Sequence, residues 1–237
     1  MKTPLAYIAN SADATVSVID TATNAVVATV KVGNQPQGVS VTPDRAYVYV
    51  TNATDGTVSV LATASNTVVA TVPVGTNPNG VAVTPDGAYV YVTDFAGNTV
   101  SAIDTATSTI VATVVVDDNP QGVTVSPDGA YVYVVSVGAP GTNFSVISTA
   151  TNTLVATADL GTFSPNSVAV TPDGAYAYAV NSAPGGPGTA PGSNAGFVSV
   201  IAIPTYEVVK FVVVGDVSYG FRPVYSSPTN VGGQRSY

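Results

Sequence analysis

The chain contains no cysteine and no histidine. The first absence excludes disulfide frameworks, thiolate metal sites and cysteine nucleophiles. The second removes the commonest general base, the commonest zinc ligand and the usual activator of a serine nucleophile. Few familiar enzyme sites can be built from what is left, so a non-enzymatic role is expected. Charge is scarce as well: 8% of the 237 residues are charged, and six Lys plus Arg against fourteen Asp plus Glu give a net charge of -8. Such a surface repels nucleic acid and an anionic membrane, so no nucleic-acid partner is expected. Thr, Asn, Gly and Pro interrupt every Val-rich stretch, and no run approaches the roughly 18 apolar residues of a spanning helix. Membrane insertion is not expected. The apolar run Leu5 to Ala9 is too short for the core of a secretory signal, and freedom from cysteine suits either side of a cell membrane.

What the chain does have is internal repetition. Thr42-Pro43-Asp44-Arg45 recurs as Thr84-Pro85-Asp86-Gly87, Ser126-Pro127-Asp128-Gly129 and Thr171-Pro172-Asp173-Gly174, the proline advancing by 42, 42 and 45 residues. Each copy is followed by an aromatic alternation, Tyr47 to Val50, Tyr89 to Val92, Tyr131 to Val134 and Tyr176 to Ala179. Composition and turn residues at both ends make these β-strands. A period divides into four strands, exemplified by Val100 to Ile103, Thr109 to Val116, Gly122 to Val125 and Tyr131 to Val135. Every connection carries turn chemistry: Pro sets φ, Asp accepts from the local backbone, and Gly takes the left-handed position.

Four antiparallel strands per period of about 42 residues is the signature of a propeller blade. The aromatic strand occurs five times, because Leu5 to Asn10 opens the chain without a strand before it. Val224 to Asn230 matches the register of Val-Ala-Val-Thr-Pro-Asp-Gly and supplies the missing inner strand. The expected fold is all-β: one five-bladed β-propeller over residues 1–237, closed by the C-terminal strand completing the N-terminal blade. The blades span 5–32 with 221–230, then 38–74, 80–116, 122–160 and 167–214.

Tyr49-Val50-Thr51-Asn52, Tyr91-Val92-Thr93-Asp94 and Asn77-Pro78-Asn79-Gly80-Val81-Ala82-Val83-Thr84-Pro85-Asp86-Gly87 closely resemble the YVTN β-propeller repeat. The resemblance covers about residues 5 to 230. It implies an archaeal or bacterial cell-surface or S-layer-associated protein, extracellular in location, often with seven blades where this chain has five. Metal-dependent lactonases and lyases are related propellers, but this chain has no His or Glu onto which their catalytic residues could be carried.

One face of the expected ring collects the turns between blades and the turns after each aromatic strand. The longer connections Ala139 to Thr142 and Ser182 to Gly196 fall there, and long loops are common carriers of contacts. The linking turns supply Asn34, Gln37, Asn77, Asn79, Asn119, Gln121 and Asn166, with Arg222 near the fifth position. Amides around a channel mouth suit sugar hydroxyls, water or a cation, although the same residues serve as turn formers. No cofactor is expected; Asp117-Asp118 is the place where Ca²⁺ would be held. Asp44, Asp86, Asp128 and Asp173 lie on the opposite face and read as structural. Asn52-Ala53-Thr54 and Asn143-Phe144-Ser145 fit glycosylation acceptors.

The functional expectation is a binding or cell-surface scaffold module with a glycan or protein partner. Two alternatives stand beside it: a metal-dependent hydrolase or lyase with carboxylate and amide ligands at the channel mouth, and a subunit that self-associates by strand exchange at the seam.

Overall fold

The computed structural model describes residues 4–138, 142–161, 164–181, 195–203 and 205–216. These residues form β-strands and turns without a helix, so none is long and apolar enough to cross a membrane. The strands make five antiparallel sheets. The first holds β1 (Leu5–Asn10), β2 (Thr15–Asp20) and β3 (Ala25–Lys31). The second holds β4 (Pro36–Val41), β5 (Tyr47–Asn52), β6 (Thr57–Ala62) and β7 (Thr67–Pro73). The third holds β8 (Pro78–Val83), β9 (Tyr89–Asp94), β10 (Thr99–Asp104) and β11 (Thr109–Val115). The fourth holds β12 (Pro120–Val125), β13 (Tyr131–Val137), β14 (Thr142–Ser148) and β15 (Thr153–Asp159). The fifth holds β16 (Pro165–Val170), β17 (Tyr176–Asn181), β18 (Ala195–Ala202) and β19 (Glu207–Asp216). Strand order follows chain order in every sheet, as repeated hairpins dictate. The fourth strand expected for the first sheet, at 221–230, lies outside the described residues.

Identical side-chain chemistry closes the first hairpin of four sheets. Thr42 Oγ1 donates to Asp44 Oδ1 at 2.6 Å and accepts from Tyr47 N, while Ala46 N donates to the same carboxylate. Thr84 with Asp86, Ser126 with Asp128 and Thr171 with Asp173 repeat the pattern. The third position of each turn is left-handed: φ is 76° at Gly87, 75° at Gly129 and 70° at Gly174, and Arg45 holds 61° in the same place. The outer hairpins also end on left-handed residues, Asn24, Asn66, Ser108, Asn152 and Tyr206. Each outer strand then carries a bulge, which twists its exposed edge away from a second chain.

The core lies between consecutive sheets. Val16, Val18 and Val30 of the first meet Val48, Val50 and Leu61 of the second. Tyr49, Val58, Val60 and Val72 on the other face of the second meet Val90, Val92 and Ile103 of the third. The same packing recurs from third to fourth and from fourth to fifth. Alternation along a strand sends successive side chains to opposite neighbours, which is why both faces of the aromatic strands are apolar. Hydroxyls bind the inner strands to one another. Thr51 Oγ1 accepts from Gly38 N and donates to Asn79 O in the next sheet; Thr93 Oγ1 does the same between Gly80 N and Gln121 O.

Candidate functional site

Two sets of turns define two faces. On one, the Thr/Ser-Pro-Asp hairpins are near copies of each other. Hydrogen bonds from the neighbouring hydroxyl and then from the backbone hold Asp44, Asp86, Asp128 and Asp173 below the usual carboxylate range. These carboxylates are occupied by their own turns, in keeping with a structural role.

The other face carries the turns linking one sheet to the next, and here each is clamped differently. Asn34 N and Nδ2 donate to Asp55 at 2.8 and 2.9 Å. Thr76 N and Asn77 N donate to the buried Asp94 at 2.9 and 2.7 Å. Asn98 reaches from the third sheet, accepting from Asn119 N at 3.0 Å and donating to Asp118 at 2.8 Å. Asn119 Nδ2 adds a bond to Phe95 O. Hydrogen bonds to Asn34 hold Asp55 below the usual range.

The eight amide and arginine positions therefore separate into groups. Asn34, Asn77 and Asn119 use backbone or side-chain groups to hold the linking turns. Gln37, Asn79, Gln121 and Asn166 each follow the proline that opens an inner strand, so they occupy equivalent, half-buried places in four consecutive sheets. Asn166 Oδ1 is buried and accepts no hydrogen bond. Arg222, most of the Ala139 to Thr142 connection and most of Ser182 to Gly196 lie outside the described residues. Asp118 serves the Asn98 clamp, and among the described residues no three His, Cys, Asp or Glu side chains gather as metal ligands.

One motif is corrected. Asn52 is buried, and its Nδ2 donates to Thr57 Oγ1 and Ser59 Oγ, so Asn52-Ala53-Thr54 is closed to glycosylation in the folded chain. The clamps of Asp55, Asp94 and Asn98 were not anticipated. Their signal was the divergence of Asn52-Ala53-Thr54-Asp55 from Asp94-Phe95-Ala96-Gly97-Asn98 just after two closely matched strands.

Beside the Asn34–Asp55 clamp lies a shallow recess of about 330 Å³, lined by Lys31, Gly33, Asp55, Thr57, Ser59 and Thr71 among others. It offers hydroxyls, one ammonium and one carboxylate to solvent.

Repeated four-stranded sheets stacked face to face through apolar layers define a β-propeller protein. The family model for the cytochrome D1 heme domain, an eight-bladed propeller family, matches residues 3–122, which run from before β1 into β12. The chain belongs to that family. None of the curated proteins matches it. Among solved structures, a hydrazine synthase chain of Kuenenia stuttgartiensis is similar at 26% identity and TM-score 0.80, over 89% of this chain and 62% of that one. A functionally unknown protein from Desulfotomaculum acetoxidans DSM 771 is similar in fold at 18% identity and TM-score 0.70, over 88% of this chain and 66% of that one. Likeness to propellers so different in name establishes scaffold and leaves activity to the site.

Proposed function

We propose that this propeller is a non-enzymatic binding module of the cell surface or extracellular space, recognising a hydroxyl-rich ligand such as a glycan on the face of its linking turns. One observation carries the reading: four near-identical hairpins form one face, while the linking turns on the other are each built from different polar residues on the same frame. Variation on a constant scaffold is how loops acquire specificity, whereas repeated hairpins discriminate poorly. The recess at Lys31, Thr57 and Thr71 gives that face a place for sugar hydroxyls, and Gln37 and Gln121 extend the supply of amides along it. The YVTN resemblance supports the cell-surface setting.

The family name raises a haem, and among the described residues the layers between sheets do not fit one. An axial ligand would come from His, Met, Cys or Tyr. His and Cys are missing, and the one methionine, Met1, lies outside the described residues. Tyr49, Tyr91 and Tyr133 are buried between sheets, where desolvation pushes their hydroxyls well above the usual range, against the phenolate a ligand must become. The recess is shallow, with Val32 and Val68 in its lining beside Lys31, Asp55 and Thr71.

A glycan array with the full chain, followed by calorimetry on any hit, tests the reading. Lys31→Ala with Thr71→Ala is expected to weaken binding at least tenfold, while Asp86→Asn on the opposite face leaves it unchanged. The reverse pattern, or no binding to any hydroxyl-rich probe, would overturn it.

A further inference from the structure

One junction between sheets exchanges the residues that the others share. Asn10, Asn52, Asp94, Ser136 and Asn181 hold the same place near the end of the aromatic strand. Ser17, Ser59, Ser101, Ser145 and Ser199 hold the matching place on the strand beside it. In the first, second and fifth sheets the asparagine Nδ2 donates to that serine at 2.8, 2.9 and 2.9 Å. In the third, Asp94 accepts from the linking turn, and Ser101 Oγ donates to the Val74 carbonyl of the preceding sheet. The fourth sheet does neither. Ser136 and Ser145 are both 0% exposed, and neither hydroxyl has a hydrogen-bond partner.

The linking turn beside them is changed in the complementary sense. Gly33 and Gly75 stand so that a Cβ would run into the Asn52 side chain and the Asp94 carboxylate. The same place in the turn between the third and fourth sheets, three residues before the proline, is Asp117. Its side chain therefore starts toward the space that asparagine or aspartate fills elsewhere and that the shorter Ser136 leaves open. Gly138, just past β13, would bring a Cβ within 3.2 Å of Asp118 Cβ, which ties this strand end to the turn. Asp117 is half-buried, and among the described residues no hydrogen bond or ion pair reaches its carboxylate. A carboxylate and two buried hydroxyls thus share one junction without satisfying one another, next to the Val116 carbonyl that matches Val74. Oxygen donors carrying a single negative charge are what a hard cation takes.

We propose that this junction is a cation site: the Asp117 carboxylate, Ser136 Oγ, Ser145 Oγ and the Val116 carbonyl hold one Ca²⁺ between the third and fourth sheets, with water completing its shell. Asn98 already clamps the two following residues of the same turn, so the ion and the clamp fix it together. One carboxylate among neutral oxygens makes a weak site, with a Kd of about 10⁻⁴ to 10⁻³ M, as in extracellular Ca²⁺ modules.

Calorimetry and thermal melting of the full chain, with Ca²⁺ alone as the probe, test this. The parent should take up one ion per chain in that range and melt higher as Ca²⁺ is raised. Asp117→Asn should weaken binding at least tenfold, whereas Asp118→Asn, at the exposed neighbour, should weaken it far less. Ser136→Asn is the second variant. Its amide can reach Ser145 as Asn52 reaches Ser59, so it should fold, melt at or above the parent without Ca²⁺, and no longer respond to the ion. A parent that shows neither heat nor a melting shift up to about 10 mM Ca²⁺, ten times the weak end of the range, overturns the proposal. Equal losses in Asp117→Asn and Asp118→Asn overturn it too, since diffuse surface charge would then explain the binding. So does a Ser136→Asn chain that binds Ca²⁺ as the parent does.

Discussion

Tyr91 Oη donates a 2.8 Å hydrogen bond to Asn152 Oδ1, joining the aromatic strand of the third sheet to the outer turn of the fourth. The same pair of positions recurs between every two consecutive sheets. Between the fourth and fifth they are Tyr133 and Tyr206, between the second and third Tyr49 and Ser108, and between the first and second Tyr7 and Asn66. The Tyr49 hydroxyl is buried without a partner, as are the Tyr7 hydroxyl and Asn66 Oδ1. Asn152 thus reaches its tyrosine and Asn66 does not, while Ser108 leaves Tyr49 without an acceptor.

Ser108→Asn should therefore stabilise the chain. It gives Tyr49 an acceptor and places asparagine, the non-glycine residue most at ease with positive φ, where φ is 54°. The two effects together should amount to about 1 kcal/mol. Asn152→Ala should cost about 1–2 kcal/mol by stranding the Tyr91 hydroxyl. Denaturant unfolding of both variants measures this; equal stability of Ser108→Asn and its parent would show that the hydroxyl and the turn do not meet.

Arg45 holds φ at 61° in the hairpin position that three sister turns assign to glycine. A Cβ costs roughly 1–2 kcal/mol in the left-handed region, so Arg45→Gly should be neutral or more stable by about 1 kcal/mol after the added freedom of the unfolded chain. Arg45→Val should be clearly worse, since branching at Cβ sharpens the clash. Melting temperatures of the pair decide the point.

Residue types announce most of this architecture. Pro-Asp-Gly spacing located the first hairpins, and Tyr-Val alternation located the strands, because turn geometry and two-fold side-chain periodicity act locally. What depends on contact between repeats was hidden. The inner strands begin at the prolines Pro36, Pro78 and Pro120, two residues before the expected Gly38, Gly80 and Gly122. Asn52 matched a glycosylation pattern that its burial closes. Thr51 and Thr93 looked like ordinary strand residues, yet their hydroxyls connect adjacent sheets. The linking-turn amides were legible as a group, but the division between clamp and inner-strand positions follows from partners some twenty residues away.

Gly80 shows how tight that inter-sheet stitching is. Its N–H donates to Thr93 Oγ1, and a Cβ added there would overlap the Gln121 carbonyl that Thr93 also binds. Gly80→Ala should cost roughly 1–3 kcal/mol through overpacking against backbone that cannot retreat. Gly87→Ala, facing only the ring of Pro43 at contact distance, should lose stability through its φ of 76° alone. If Gly80→Ala unfolds at the same denaturant concentration as the parent, the inner strands are less closely joined than the hydrogen bonds imply.

The four hairpin carboxylates set the acid limb of stability. Asp44, Asp86, Asp128 and Asp173 titrate below their ordinary value of 3.8 because hydroxyl and backbone donors favour the charged form. A depressed folded pKa contributes stability that is present above the unfolded value and is lost as pH falls through the folded one. Replacing all four by Asn keeps an acceptor oxygen and removes the titration. The variant should melt lower than the parent at neutral pH, and the two melting curves should converge as pH drops below the carboxylate range. A constant gap down to the lowest pH would assign the acid limb to other groups.

The buried tyrosines set the alkaline limb. Burial pushes the hydroxyls of Tyr49 and Tyr91 up to about 12 and that of Tyr133 higher still. A raised folded pKa contributes stability that is complete below the ordinary value near 10 and disappears as pH rises through the folded value. Ultraviolet titration of the thirteen tyrosines should accordingly show two phases. The first phase should leave the far-ultraviolet dichroism unchanged. The three core rings ionise later, together with loss of the sheet signal, because the phenolates cannot form while the sheets remain stacked. Tyr91→Phe should lower neutral-pH stability by about 1 kcal/mol, through the lost bond to Asn152, while shrinking the second phase. Should all thirteen ionise in one phase while the dichroism holds, water must reach the layers between sheets, and the burial of Tyr49, Tyr91 and Tyr133 would not describe the protein in solution.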